Sequence, residues 1–194
     1  MLHLASRSPR RAELLTRLGV QFGILDLDIP EQPGATEPAV DYVCRVAREK
    51  AGAGLLKVVA APDAAAGHVC VLGADTEVVL DDVVFGKPAD AVDAAAMLRR
   101  VSGRTHQVVT AVSVLSAARE AQAVVVSQVT VEALSDAAID RYLDSGEWRG
   151  KAGAYAIQGR FEAHVARLDG SYSGVMGLPL HATAGLLRQF GLLP

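Results

Sequence analysis

The sequence predicts an α/β protein whose mixed, twisted sheet is flanked by helices. Strand-like and helix-like segments alternate along the chain, and hairpins occur among them, a combination that is typical of a mixed sheet. Short apolar runs such as 69–74 indicate buried strands, whereas apolar residues spaced three and four apart over 37–56 indicate an amphipathic helix. The 194 residues suit a single domain, 1–194, made of two closely joined lobes.

Strands are predicted where short runs are apolar or rich in β-branched residues and are bounded by turn-forming residues. The runs that fit this description are 2–5, 22–27, 69–74, 107–115, 123–131, 154–157 and 163–168. Segments 78–80 and 83–85 are predicted to form a hairpin with Asp81 and Asp82 at its tip.

Helices are predicted from their capping residues and their apolar spacing. Ser8 can cap the first helix, Pro9 suits its first turn and Gly19 suits its end. Further helices are predicted over 37–56, 90–101, 135–143 and 178–190, with a loop or frayed helix end over 59–67. On the longest helix, the residues expected to face the core are Val40, Val43 and Ala47.

Composition excludes several classes of protein. The net charge of −3 argues against a nucleic-acid polymer as partner, because such binders usually carry a basic excess or stripe. The apolar stretch 58–71 contains Pro62, Asp63 and His68, so it cannot serve as a membrane helix. The apolar start of the chain is too short for a signal-peptide core. Cys44 and Cys70 have no zinc spacing and fit small buried side chains in a reducing cytoplasm.

The segment from Ser6 to Arg11 is the first candidate for chemistry. A strand runs directly into a helix whose first turn carries Arg10 and Arg11. Free backbone N–H groups and the helix dipole favour an anion at that place, and arginine adds donors that match phosphate oxygens. The alternative interpretation is a solvated helix start with surface arginines.

Two charged residues in otherwise apolar surroundings are the next candidates. At about 100° per residue, Lys50 falls on the apolar face of Val43 and Val46, where it must either extend outward to solvent or meet an anion. Asp75 follows a buried strand, where it could act as a general base or a magnesium ligand, or merely cap a turn. Small residues at Gly73 and Ala74 allow a backbone or a ligand to approach closely.

Three later segments carry weaker signals. Lys87 lies in a turn fixed by Pro88, where a lysine is usually only solvated. On a predicted strand, Gln158 would share a face with the small residues Ala154 and Ala156, leaving room for a planar base; an ordinary edge-strand glutamine is the alternative. The segment 170–179 reads as a tight loop that could form a wall of the site, although a structural role is the simpler interpretation.

Taken together and in order, these segments resemble the Maf family of nucleotide pyrophosphatases. The resemblance runs from Leu4 to Leu187 and rests on several phrases in register: LASRSPRRAELL, YVCRVAREKA, GADTEVVL, GKP, SGRTHQV, KAGAYAIQG and GSYSGVMGLPL. It implies a fold related to the inosine-triphosphatase group, with the site in a cleft between two lobes. It also implies cleavage of a nucleoside triphosphate between its α and β phosphates with a divalent cation, Mg²⁺ or Mn²⁺, and a homodimer.

The wording of three phrases resembles the branch that prefers dTTP and UTP, which implies a house-cleaning role and a link to cell-division arrest. The resemblance assigns phosphate binding to Ser6, Arg10, Arg11, Lys50 and Lys87. It assigns proton acceptance to Asp75, metal binding to Glu31 and Asp75, and substrate choice to Arg10, Thr76 and Gln158. One departure is Pro30, where the family often has a second acid beside Glu31; Asp28 could compensate.

Two rival functions remain open at this point. Asp26 and Asp28 form a DxD pair after an apolar strand, which is typical of a phosphatase that uses an aspartate nucleophile, here Asp26. Alternatively, the same cations could serve a nucleotide-binding regulator of septum formation without turnover. The acids Glu31 and Asp75 favour catalysis, since they repel phosphate unless a metal ion intervenes.

Overall fold

The fold is known from a computed structural model, which describes residues 1–34, 36–61 and 69–194. The described strands are β1 (Leu2–Ala5), β2 (Phe22–Leu25), β3 (Cys70–Leu80), β4 (Val83–Phe85), β5 (Thr105–Ser116), β6 (Glu120–Val131) and β7 (Val165–Asp169). The described helices are α1 (Pro9–Thr16), α2 (Ala39–Val59), α3 (Ala91–Val101), α4 (Asp136–Asp144), α5 (Tyr172–Met176) and α6 (Leu180–Gln189). The predicted α/β class is confirmed.

The seven strands form one open, mixed sheet in the order β2-β1-β3-β5-β6-β7, with β4 also paired to β3. Strands β1, β2 and β3 are parallel to one another, whereas β3, β5, β6 and β7 are successively antiparallel. Within the described ranges, no helix has both the length and the apolarity needed to cross a membrane.

One edge of β3 is only partly covered by neighbouring strands. On that side β1 pairs with β3 as far as Ala5 opposite Gly73, and β4 begins its pairing at Phe85 opposite Val78. Between these two points, residues 74–77 have no strand partner on that side in the described chain, whereas β5 pairs with all four on the other side. The gap between β1 and β4 therefore opens a cleft beside the middle of β3.

Helix α2 lies directly against β3 because Gly73 has no side chain. A Cβ atom at Gly73 would collide with the backbone oxygen of Ala47 and would lie 2.6 Å from the backbone nitrogen of Ala51. The expectation that small residues here allow a close approach is confirmed, and the approaching group is the helix backbone. This contact sets the distance between β3 and the neighbouring residues of α2, including Lys50.

The core has two parts, one on each face of the sheet. Alternation along β3 and β5 sends Val79 and Val109 into a cluster with the inner face of α2, whereas Val78 and Val108 belong to a larger cluster on the opposite face. The larger cluster also takes residues from the other five helices, such as Leu14, Leu98, Ile139, Met176 and Leu187. Both faces of the central strands are consequently buried.

Several predicted details of the helices are wrong. Ser8 occupies the position before α1, yet its side chain makes no capping hydrogen bond; instead its own N–H donates to Ser6 Oγ at 3.1 Å. Helix α2 begins at Ala39 after Pro38, and Val40 in its first turn is 41% exposed rather than inward-facing. The loop predicted over 170–179 contains the short helix α5. Of the segment 59–67, residues 62–67 lie outside the described residues.

The strand predicted over 154–157 is also wrong. Residues Ala152–Ala154 form a single 3-10 turn in which Gly153 and Ala154 have left-handed φ values of 66° and 61°. The following residues are buried without pairing to a strand. A short apolar run is compatible with any buried backbone, so its periodicity could not distinguish a strand from a turn that crosses the core.

Burial of His106 makes stability depend on pH. The side chain is 2% exposed, its Nε2 lies 2.7 Å from Tyr155 Oη, and its Nδ1 has no hydrogen-bond partner among the described residues. Burial lowers the pKa of His106 from 6.5 to about 4. The unfolded chain therefore takes up this proton at a higher pH than the folded chain does, and stability is lost as the pH falls from about 6.5 to about 4.

We expect His106→Gln to lessen this loss, because glutamine can keep a hydrogen bond to Tyr155 and cannot take up the proton. The histidine accounts for about 3 kcal/mol of acid destabilisation over its titration range. Urea unfolding of both proteins at about pH 7 and about pH 4 measures the difference. Equal acid losses of stability in the two proteins would contradict the assignment.

Candidate active site

The cleft beside the uncovered edge of β3 has a volume of about 750 Å³, which suits a small-molecule ligand. Its walls come from the turn between β1 and α1, the loop after β2, the turn after β4, and two loops late in the chain. Most of the residues predicted from sequence line it: Ser6, Arg10, Arg11, Glu31, Lys50, Asp75, Thr76, Lys87 and Gln158. The segments singled out along the chain thus meet at one place.

Positive charge is concentrated in this cleft, although the chain as a whole carries a net charge of −3. Seven cationic side chains line it: Arg7, Arg10, Arg11, Lys50, Lys87, Arg149 and Lys151. Four carboxyl groups accompany them: Asp28, Glu31, Asp75 and Glu77. An excess of cations inside a concave surface focuses an electrostatic field that attracts a polyanion such as a triphosphate.

A chain of ion pairs crosses the floor of the cleft. Lys50 Nζ lies 2.8 Å from Asp75 Oδ1 and 2.6 Å from Glu31 Oε1, while Lys87 Nζ lies 2.7 Å from Glu31 Oε2. Burial opposes ionisation of Glu31, but hydrogen bonds from the two lysines outweigh it and lower the pKa of Glu31 to about 2. Lys50 does not extend outward to solvent, since it is only 8% exposed, and the anions that it meets here are carboxylates of the protein itself.

Asp75 lies within β3 and not in a turn, because the strand continues to Leu80. The interpretation of Asp75 as a turn-capping residue is therefore wrong. Its side chain is buried at 4% exposure, and Lys50 takes one carboxylate oxygen while Oδ2 has no partner among the described residues. A buried carboxylate with one free oxygen can accept a proton from a water molecule or bind a metal ion.

Sequence reasoning missed Glu77. It lies two positions after Asp75 on the same strand, so both side chains project from the same face of β3. Glu77 is 8% exposed, and its Oε2 has no hydrogen-bond partner in the described chain. Burial, followed by the charge of Asp75, raises the pKa of Glu77 to about 8. An acidic residue on the inner face of a buried strand would have been the signal. It was missed because the strand was predicted to end before residue 77.

The two adjacent arginines have different surroundings. Arg11 donates from Nε to the backbone oxygen of Gly177 at 2.8 Å and from Nη2 to Thr76 Oγ1 at 3.2 Å, so it ties the start of α1 to β3 and to the loop after α5. Arg10 makes no hydrogen bond or ion pair with the rest of the described chain. Burial and the charge of Arg11 lower the pKa of Arg10. The free guanidinium of Arg10 is thus available to an anion.

Gln158 lines the cleft from a turn and not from a strand, so the predicted strand face shared with Ala154 and Ala156 is wrong. Its side chain is exposed. Thr76 points to the face of β3 opposite Asp75, where its Oγ1 accepts hydrogen bonds from Arg11 and from Thr110 Oγ1, the latter at 3.0 Å. Gln158, which lies in a turn, and Thr76, which lies on β3, therefore both remain candidates for contact with a ligand.

Two cations of the late loop were also missed as site residues. Lys151 Nζ donates to the backbone oxygen of Arg149 at 3.1 Å, and burial together with the charge of Arg10 lowers the pKa of Lys151. Arg10 and Lys151 both line the cleft. Lys151 opens the phrase KAGAYAIQG, but a lysine in a loop gives no sign of its direction in sequence.

Only one member of the DxD pair, Asp28, lines the cleft. Arg7 pairs with Asp26 at 3.4 Å and with Asp28 at 2.6 Å, and the two aspartate side chains are 77% and 93% exposed. Asp26 is not among the residues that line the cleft. The geometry argues against Asp26 as a nucleophile, and Asp28 turns toward Arg7 instead of supplementing Glu31.

No three His, Cys, Asp or Glu side chains come close enough, in the described part of the chain, to form a ready-made metal centre. The cleft nevertheless holds buried carboxylate oxygens without partners, on Asp75 and Glu77. Oxygen donors of this kind suit Mg²⁺ or Mn²⁺, and Mg²⁺ is commonly held by one or two carboxylates together with substrate phosphates. The residues present therefore fit a divalent cation that is bound jointly with a nucleotide.

Comparison with known proteins agrees with this cleft. Residues 1–190 match the family model described as Maf-like protein. A dTTP/UTP pyrophosphatase of Xanthomonas euvesicatoria pv. vesicatoria (strain 85-10) is 61% identical over 193 residues, which cover 98% of this chain and 99% of the relative. A nucleoside triphosphate pyrophosphatase of Xylella fastidiosa (strain 9a5c) is 61% identical over 191 residues, covering 98% of each protein. The chain belongs to the Maf family.

Proposed function

We propose that this protein hydrolyses dTTP and UTP to the corresponding monophosphate and pyrophosphate. The observation that carries the proposal is the buried carboxylate of Asp75, held by Lys50 on the floor of a cleft rich in cations. The substrate class follows from relatives that are about 60% identical over nearly their whole length and are named for this activity. A modified pyrimidine triphosphate would be accepted by the same chemistry.

The cations would bind the triphosphate and stabilise the charge that builds up on it. Arg10 makes no hydrogen bond or ion pair with the described chain, so it can form paired hydrogen bonds to phosphate oxygens without breaking one within the protein. Lys50 and Lys87 form ion pairs with Glu31 in the same cleft, and they would exchange these pairs for contacts with the phosphate oxygens of a bound triphosphate. Ser6, just before α1, and Arg11, in its first turn, would be the remaining residues that bind phosphate. Positioning and electrostatic stabilisation supply most of the catalysis in reactions of this type.

Asp75 would act on the attacking water. Lys50 holds Oδ1 and so fixes the orientation of the carboxylate, which leaves Oδ2 free to accept a proton. Removal of that proton as the water attacks the α-phosphorus requires no covalent intermediate. We infer that Asp75 and Glu31 hold a divalent cation, which when bound neutralises phosphate charge and polarises the bond that breaks.

Gln158 would contribute to the choice of base. Uracil and thymine present a carbonyl–NH–carbonyl edge, and an amide side chain can both donate to it and accept from it. Thr76 and Arg10 line the same cleft and complete the residues that we assign to specificity. We further propose that the protein acts in the cytoplasm, which suits its two free cysteines, and that it forms the homodimer implied by the family resemblance.

The first test is to identify products from a panel of triphosphates in the presence of Mg²⁺ or Mn²⁺. We expect UTP and dTTP to give monophosphate and pyrophosphate, and CTP, ATP, GTP and 7-methyl-GTP to react more slowly. Chromatography of the products distinguishes the bond that is cut. Diphosphate with free phosphate would contradict the mechanism, and an absence of turnover across the panel would favour the binding regulator.

The second test removes the proposed base. Asp75→Asn keeps the shape of the side chain but cannot accept the proton, so we expect kcat to fall by about a hundredfold to ten-thousandfold. Asp82→Asn, at the exposed tip of the hairpin, is the matched control and should keep normal turnover. Near-normal activity in a correctly folded Asp75→Asn protein would exclude Asp75 as the base.

The third test concerns base selection. Gln158→Ala should lower kcat/KM for UTP by about tenfold while changing that for ATP little, because the amide hydrogen bonds are lost only with the matching base. Gln21→Ala, at another exposed glutamine, serves as the control. An equal loss for both nucleotides would assign Gln158 to general binding and not to specificity.

A further inference from the structure

Glu77 is a buried acid to which the proposed mechanism gives no role. It lines the cleft, is only 8% exposed, and has no hydrogen bond or ion pair that would satisfy Oε2 within the described chain. A carboxyl group taken out of water without a partner destabilises a protein by an amount comparable to a lost charge-assisted hydrogen bond. Such a group can be neutralised by a proton or by a bound cation that supplies the missing positive charge.

No lysine in the described part of the cleft forms an ion pair with Glu77. Lys50 is engaged by Asp75 and Glu31, and Lys87 is engaged by Glu31. These contacts also occupy both carboxylate oxygens of Glu31. By contrast, Asp75 and Glu77 each keep one buried oxygen without a partner. The two oxygens that are free to receive a cation therefore belong to Asp75 and Glu77.

The strand places these two side chains so that they can share one ion. Residues two apart on a strand lie about 6.5–7 Å apart on the same face. Glutamate is longer than aspartate by one methylene, which allows its carboxylate to bend back toward its neighbour. Glu77 lines the same cleft as Asp75, Lys87, Glu31 and Lys50, so its carboxyl group lies beside their ionic network.

We propose that in the substrate-free protein Glu77 is a ligand of the divalent cation, binding it together with Asp75 Oδ2 on the α2-facing side of β3. Glu31 can then remain paired with the two lysines until the triphosphate arrives. The role of this ion in catalysis rests on the proposed function, but its binding to the protein does not. Two carboxylates leave the remaining positions around the ion to water and to phosphate oxygens.

The test is a Mn²⁺ titration of the substrate-free, full-length protein, followed by electron paramagnetic resonance of the unbound ion. We expect Glu77→Gln to weaken Mn²⁺ binding by about tenfold or more, since the amide keeps the volume but loses the charge. Glu31→Gln should weaken it less, because its oxygens are held by lysines. Asp82→Asn, on the exposed hairpin tip, is the control and should bind Mn²⁺ as the wild type does.

Two further measurements guard against a folding defect. Circular dichroism should show a native spectrum for Glu77→Gln, and Mn²⁺ should raise the thermal midpoint of the wild type and of Asp82→Asn but not of Glu77→Gln. Glu77→Asp, which keeps the charge on a shorter side chain, should restore part of the Mn²⁺ affinity. Unchanged Mn²⁺ binding in folded Glu77→Gln, or no measurable binding to the wild type, would overturn the proposal.

The outcome for Glu77 can be separated from the outcome for the proposed function. If the wild type cleaves UTP and Glu77→Gln binds Mn²⁺ normally, the enzyme assignment stands and the ligand assignment fails. If Glu77→Gln loses Mn²⁺ binding but the wild type cleaves no triphosphate, the ion site stands and the activity fails.

Discussion

The close contact between α2 and β3 is the constraint on which the site depends. Because Gly73 has no Cβ, the helix backbone rests directly on the strand, and the next residues of the helix are set at a fixed height above it. Lys50 then reaches Asp75 at 2.8 Å although both residues are almost completely buried. A larger residue at position 73 would push the helix outward and leave two buried charges unpaired, which costs far more than the pair contributes.

The fold was largely predictable from the sequence because its long elements carry strong periodic signals. The hairpin around Asp81 and Asp82 and the inward position of Lys50 followed from local pattern alone, since turn chemistry and helical spacing act over a few residues. The prediction was wrong at 154–157, where a buried apolar run forms a turn with Gly153 and Ala154 in left-handed conformations. Whether a buried apolar run forms a strand or a turn depends on its tertiary packing, which the local sequence pattern does not reveal.

The sequence predicted which residues gather in the cleft, but it did not predict which of them form ion pairs with one another. Glu31, Lys50, Asp75 and Lys87 line one cleft as expected, yet no pattern indicated that both lysines pair with Glu31. These contacts join residues far apart in the chain, so they depend on how β1, β3 and β4 divide one edge of the sheet. Glu77 was not predicted as a site residue because the predicted strand ended before it.

The alternation of β3 explains how one short segment serves two purposes. Asp75 and Glu77 project toward α2, where Lys50 pairs with Asp75, whereas Thr76 projects to the other face and is held by Arg11 and Thr110. Both faces reach the same cleft because none of the described strands covers this edge between Gly73 and Val78. A shift of the register by one residue would exchange the two sets, burying Thr76 under α2 and turning both acids toward Arg11. The pairing of β3 with β1 and β4 therefore fixes the chemistry as well as the fold.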